Sequence, residues 1–436
     1  MKLIIENIRS FAGKHTVEIK PLTLLVGENS SGKSTLLAAL AALSDRATFP
    51  GKLSFNKEPY NLGAYRTVAT CKSAKIGRAK SFSIGFTGKA GQLGVFATYT
   101  EAKGDSALTR LKINNGDLAA DLSFDEGKMT GVLRNIPSHS ATELQPNLEK
   151  SESSGYEIKL ANDVVTSRIS ISETLPGVLY SALLAMMDDP QMRIHPTDLY
   201  EFTKEVSRFV SVVCSIAPVR SKPRRVYDRS NVGYEPGGDH IPYILAQLLN
   251  DDQNKQREQL SEALNKFGEQ SGLFKKIAAP ILGAHQGDPF EIEVSIAGPA
   301  TNLLDVGYGV SQSLPIIVES LLAAPSTRLL VQQPEVHLHP KAQAALGSFL
   351  ADMVRDGKRQ FVVETHSDYI IDRIRQEVAA GRLPAESVAI VYLEKTQIET
   401  TVHQLKLDEA GNILNAPPTY RAFFMEEEMN LLNRAP

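Results

Sequence analysis

Apolar and polar positions repeat with different periods along the chain, and the changes of period mark its organisation. Short apolar runs at Lys2–Ile8, 15–19 and 22–26 predict strands, the last stopped by Gly27. A Leu- and Ala-rich stretch over 33–43 predicts a helix. Between 81 and 135, FSIGF, LGVFATYT and ALTRLKI alternate apolar and polar residues, and NNGD and DEG separate such stretches, which predicts antiparallel hairpins. Residues 137–154 are polar and predict a loop. Helical periodicity dominates 175–208 and 241–267, on either side of a Pro-, Gly- and Arg-dense segment at 215–238. After Pro289, the runs FEIEVSI, NLLDV, RLLVQQ, QFVVET and VAIVYLE alternate with helical stretches, predicting buried parallel strands with crossover helices. The expected class is α/β with an antiparallel β lobe. It divides into an N-terminal lobe at 1–135, a mostly helical insertion at 136–288 and a C-terminal lobe at 289–436.

Composition narrows the function classes. The 436 residues are 42% hydrophobic and carry a net charge of −3, so a body that holds nucleic acid by bulk positive charge is excluded. Cys71 and Cys214 are too few for a disulfide framework or a four-thiolate metal site. No apolar run reaches the roughly 18 residues that span a bilayer. Glu6 and Arg9 interrupt the apolar opening, so no export signal and no membrane partner is expected, and a cytoplasmic location follows.

The strongest chemical signal is Gly27-Glu28-Asn29-Ser30-Ser31-Gly32-Lys33-Ser34-Thr35, a G-x-x-x-x-G-K-[ST] loop that follows a strand and opens a helix. Its glycines let successive N–H groups turn toward phosphate oxygens, and the helix N-terminus adds partial positive charge. Lys33 is placed to reach the β- and γ-phosphates of ATP, and the Ser34 hydroxyl to take a Mg²⁺ position.

A second group of motifs lies near the other end. Gly307-Tyr308-Gly309-Val310-Ser311-Gln312 opens a helix, a strand ends in Gln332-Gln333-Pro334-Glu335, and His337-Leu338-His339-Pro340 follows. Another strand delivers Glu364-Thr365-His366-Ser367. Polar groups at the carboxyl ends of parallel strands are where α/β sheets bind ligands.

The order of these motifs resembles the ABC-type ATPase heads of the SMC and OLD group. It is similar above all to bacterial AAA-family predicted ATPases with GxGxSQxLP, QPExHLHP and ETHS blocks. The likeness extends to APVRSKPRRVY and YRAFFMEEE but hardly touches 81–203. It implies that Gly307, Gly309, Ser311 and Gln312 form the signature that closes on ATP bound to a second copy. His339 falls at the D-loop, and His366 at the switch histidine. Gln332 and Gln333 stand where such heads place the Mg²⁺-associated carboxylate and the catalytic glutamate. Gln cannot accept a proton from water, so Glu335 or Glu364 supplies the missing carboxylate, or ATP is held and turned over slowly.

The implied assembly is a homodimer or a larger even-numbered oligomer around ATP. The resemblance further implies a sensor that regulates a partner effector, a nuclease or toxin, as in the ATPase subunits of Septu or PARIS anti-phage systems. Two alternatives stand beside it: an ATP-binding scaffold with negligible turnover, and a RecF-like DNA repair ATPase. Basic clusters at Lys72, Lys75, Arg78, Lys80 and at Arg220, Lys222, Arg224, Arg225, Arg229 are the candidate nucleic-acid contacts. A zinc site at His337, His339 and His366 is disfavoured by its spacing. The chain shows neither a sustained heptad for a long coiled coil nor the acidic cluster of an appended nuclease.

Overall fold

The computed structural model describes residues 1–45, 47–51, 53–73, 77–88, 94–114, 118–125, 128–135, 147–151, 155–159, 212–228, 232–251, 255–285, 287–325, 327–357, 359–422 and 429. The helical pattern at 175–208, Lys75, Arg229 and most of YRAFFMEEE lie outside them. The chain divides into two compact units. The first contains Met1–Ile19, Ser30–Val212 and Lys395–Val402; the second contains Lys20–Asn29, Val213–Glu394 and His403–Pro436.

The first unit is built on a nine-stranded sheet. Its strands are β1 (Lys2–Ile8), β2 (Phe11–Glu18), β4 (Ser81–Thr87), β5 (Gly94–Ala102), β6 (Asp105–Asn114), β7 (Leu118–Asp125), β8 (Lys128–Asn135), β9 (Asn147–Ser151) and β10 (Gly155–Lys159). The order is β10-β9-β8-β7-β6-β5-β4-β1-β2, every pair antiparallel. Alternation in β5 buries Val95, Ala97 and Tyr99 on one face, as the period of two requires. Phe82 stacks on Tyr99 with ring centroids 5.4 Å apart, and the Tyr99 hydroxyl donates to the Pro50 carbonyl at 2.7 Å. Strand β9 lies inside the stretch from which a loop is expected. Its register with β8 and β10 shows that cross-strand backbone pairing, not propensity, makes it a strand. Helix α1 (Lys33–Ser44) belongs to this unit and buries Leu36, Leu37 and Leu40, with no polar face.

The second unit centres on a seven-stranded sheet. Its strands are β3 (Leu22–Gly27), β11 (Val213–Ile216), β12 (Arg328–Gln332), β13 (Gln360–Glu364), β14 (Val388–Thr396), β15 (Glu399–Leu407) and β16 (Ile413–Leu414), in the order β11-β12-β13-β3-β14-β15-β16. The first five run parallel. Crossover helices cover such strands on both faces, so β12 is buried at all five positions and its centre, Leu329–Val331, reads as an uninterrupted apolar run. The helices are α2 (Ile241–Leu249), α3 (Lys255–Ser271), α4 (Tyr308–Leu322), α5 (Pro340–Arg355) and α6 (Asp368–Ala379). Among the described residues the longest helix has 17 residues, and none is long and apolar enough to cross a membrane.

Two sequence expectations are corrected here. FEIEVSI and NLLDV are not parallel core strands: Glu293–Ser295 pairs antiparallel with Lys276–Ala278 and Thr301–Asn302, and Leu303–Asp305 is a 3-10 turn. Phe290, Ile292 and Val294 are buried while Glu291, Glu293 and Ser295 are partly exposed, the alternation of a one-sided strand. The α/β class with an antiparallel β lobe is observed.

Candidate nucleotide site

The phosphate loop begins where β3 ends at Gly27; residues through Asn29 belong to the second unit and Ser30 onward to the first. Ser30 (φ +62°) and Gly32 (φ +102°) both take the left-handed conformation that reverses the chain before α1. A β-carbon on Gly32 would lie 2.7 Å from the Phe11 ring, so the position requires glycine on two counts. Helix α1 starts with no capping side chain and no acidic residue in its first turn. Lys33 and Thr35 are buried, whereas Asn29 and Ser30 are exposed and Ser34 is partly exposed. The Ser31 carbonyl accepts a hydrogen bond of 3.0 Å from the Thr400 hydroxyl, whose oxygen in turn accepts from the Ser10 hydroxyl at 2.7 Å. Sequence reasoning missed Thr400, because nothing local to it signals a partner 369 residues away.

In the second unit, β12 and β13 end side by side. Gln332 and Glu364 are register partners, and Gln332 Nε2 donates to Glu364 Oε2 at 3.2 Å. Both are buried, and Gln332 Oε1 is a buried acceptor with no hydrogen-bond partner among the described residues. Gln333 follows with φ +42°, its N–H donating to the Glu364 carbonyl at 2.8 Å. Glu335 is clamped: Oε2 accepts from the Thr365 hydroxyl at 2.8 Å and Oε1 from the His366 N–H at 2.7 Å. Thus the structure brings Gln332, Gln333, Glu335, Glu364 and His366 to one sheet edge, where the β3 end at Gly27 also lies. The His366 side chain is exposed.

Arg220 completes this edge. Its Nη2 donates to the carbonyls of Gln332 and Gln333, both at 3.1 Å, while Nε and Nη1 are buried with no partner among the described residues. Burial lowers its pKa to about 10, against the opposing pull of the Glu335 charge. The sequence marks Arg220 only as one member of a basic cluster. Of that cluster, Arg225 is engaged by Asp305 through two hydrogen bonds of 2.8 and 2.6 Å.

The signature turn presents two faces. Gly307 and Tyr308 are exposed; Gly309, Ser311 and Gln312 are buried. A β-carbon on Gly309 would stand 3.0 Å from the His337 carbonyl, so this glycine lets α4 close on the 335–338 turn of its own chain. The Ser311 hydroxyl donates to the Tyr308 carbonyl at 2.9 Å. His339 caps α5, its Nδ1 accepting the Lys341 N–H at 3.2 Å.

A phosphate loop, a parallel sheet and carboxylates gathered at its strand ends define a nucleotide-binding α/β protein. The chain belongs to the AAA ATPase domain family, whose model matches residues 1–131 and 240–371, and is therefore an ATP-binding ATPase domain. It is similar to the SMC head bound to the C-winged helix domain of ScpA at 14% identity and TM-score 0.46, over 94% of this chain and 98% of that one. It is also similar to the SMC head domain from Thermotoga maritima at 12% identity and TM-score 0.39, over 93% and 98% of the two chains. The Pyrococcus furiosus SMC head with an extended coiled coil, bound to the C-terminal domain of ScpA, gives 12% identity and TM-score 0.41, over 98% of each chain. No curated protein matches this chain.

Proposed function

We propose that the chain is an ABC/SMC-like ATPase that hydrolyses ATP slowly with carboxylates moved off the usual strand positions. The observation that carries this reading is the pairing of Gln332 with Glu364 beside an independently clamped Glu335. The orphaned Gln332 Oε1 and the adjacent Glu364 carboxylate are hard oxygen donors and fit Mg²⁺. Mg²⁺ would neutralise charge on the β- and γ-phosphates. Lys33 and the loop N–H groups bind the phosphates, Glu335 takes the proton of the attacking water, and Thr365 and the His366 N–H orient it. Gln333, next in the chain, positions that water, and His366 senses the γ-phosphate.

Two copies would close on ATP through the exposed Gly307–Tyr308 face, giving a homodimer or a larger even assembly. On the resemblance stated above, this assembly acts as a sensor that holds or releases an effector, a nuclease or toxin, in anti-phage defence. Copurification with and without ATP tests that role: an effector released only when ATP is turned over supports it, and the absence of any ATP-dependent partner removes it.

Hydrolysis is tested by Glu335→Gln, which should retain ATP binding and lower steady-state phosphate release by about 10²–10⁴-fold, the usual worth of a general base. Turnover at the unmodified rate would remove Glu335 from that role. Lys33→Ala should abolish both nucleotide binding and ATP-dependent assembly. The scaffold reading has one observation in its favour, that both Glu335 oxygens already accept hydrogen bonds; phosphate release indistinguishable from a no-protein control would establish it.

A further inference from the structure

Residues from 221–227 and 232–245, with Ile292, Leu303 and the start of α4, enclose a cavity of about 310 Å³, all within the second unit. That volume lies at the small end of ligand sites, the size of one amino acid rather than of a nucleotide. Its walls are of two kinds. Tyr227, Ile292, Leu303, Leu314 and Pro315 form an apolar interior. Exposed Lys222, Arg224, Glu235 and Asp239 line it with charge of both signs, and among the described residues none of the four has an ion-pair partner. Neighbouring Arg225, by contrast, is held by Asp305.

The walls are held in place without a ligand. Tyr227 stacks on Phe290 at 5.4 Å and meets Tyr243 edge-on at 5.9 Å, and its hydroxyl accepts the Arg224 N–H at 2.9 Å. The loop carrying Glu235 and Asp239 is fastened to α4 twice. Gly238, at φ +86°, lies so close to Pro315 that a β-carbon there would be 2.6 Å from Cγ. His240 Nδ1 accepts the Glu235 N–H at 3.2 Å, so its Nε2 carries the proton that bonds Glu319 Oε1 at 2.5 Å. Pro315 has no N–H to give to the carbonyl of Ser311, another residue of the cavity wall. Preorganisation of this kind reduces the ordering cost of binding.

We propose that this cavity binds a zwitterionic amphiphile of amino-acid size. The ligand carboxylate meets Lys222 and Arg224, its ammonium meets Glu235 and Asp239, and its apolar side chain enters between Leu303, Leu314 and Pro315. Balanced rim charge gives no preference for a purely anionic ligand, and the apolar interior rejects a fully hydrated ion. Because Ser311 and Leu314 belong to α4, whose first turn carries the signature, occupancy couples to ATP turnover; that coupling, unlike binding, rests on the function proposed above.

The test is calorimetric titration of the full chain, without nucleotide, with L-phenylalanine, with hydrocinnamate (no ammonium) and with phenethylamine (no carboxylate). Saturable one-to-one binding of L-phenylalanine is expected, at least tenfold weaker for each analogue and at least tenfold weaker in Arg224→Gln and in Glu235→Gln. Both substitutions are at exposed positions, so circular dichroism should show the fold unchanged. No saturation by about 10 mM, equal binding of an analogue lacking one charge, or unaffected binding in both variants would overturn the proposal. A chain that binds L-phenylalanine yet releases no phosphate would keep this site while removing the hydrolysis reading.

Discussion

Gly32→Ala isolates the geometry of the phosphate loop. The new methyl group would sit 2.7 Å from two carbons of the Phe11 ring and 3.3 Å from Ser10 Oγ, in a backbone at φ +102°. A left-handed backbone costs an L-residue about 1–2 kcal/mol. Forcing a methyl against a fully buried ring costs a further 1–3 kcal/mol or so. The expected loss is therefore about 2–5 kcal/mol, read from the midpoint of equilibrium urea unfolding. A double-mutant cycle separates the two contributions. Phe11→Leu removes the ring carbons that clash but leaves the backbone conformation, so Gly32→Ala should cost about 1–3 kcal/mol less in the Phe11→Leu background. The reasoning fails if Gly32→Ala changes stability by less than about 0.5 kcal/mol, or if the cycle closes with no coupling.

Other expectations follow from buried groups. Burial, reinforced by the Glu319 charge, pushes the Cys214 thiol far up, whereas Cys71 is exposed. A disulfide reagent at pH 8 should therefore titrate one thiol quickly and the second only on unfolding; two fast thiols would contradict this. Burial alone would raise the Glu377 carboxyl, but bonds from Arg382 Nε (2.5 Å) and Ser348 Oγ (2.9 Å), with the Arg charges, outweigh it and hold the pKa below 4.5. This contact stabilises the fold above pH 4.5 and is lost as pH falls through the depressed value, so Glu377→Gln should flatten the acid limb of the stability profile. Tyr234 accepts from the Ser215 N–H at 2.9 Å and donates to the Ser215 carbonyl, so Tyr234→Phe should cost about 1–3 kcal/mol in urea unfolding by leaving a buried N–H unpaired.

The legible parts of the molecule are those where one physical signal is local. RLLVQ, QFVVE and VAIVYLE stand out because burial on both faces confines polar residues to the ends of each run. The phosphate loop stands out because its glycine, lysine and hydroxyl requirements fall within nine residues. Strand β11 was hidden: VCSI is four residues long and becomes a strand by pairing with β12, more than a hundred positions on. FEIEVSI was misplaced because an alternating pattern fits any strand buried on one side. The sequence shows two glutamines where acids are expected, but the proximity of Glu364 to Gln332 depends on the register of β12 and β13. The inward orientation of Gly309 depends likewise on the turn that α4 packs against.

The position of β3 bears on how the chain is made. It pairs on one side with β13 and on the other with β14, both made more than three hundred residues after it. At ribosomal rates of about 5–20 residues per second, this central strand waits roughly 20–80 s for its neighbours. The hydroxyl that holds the Ser31 carbonyl arrives later still, on Thr400. An apolar nascent segment left without partners for so long is a natural substrate for chaperones, and a chain released early would display it permanently.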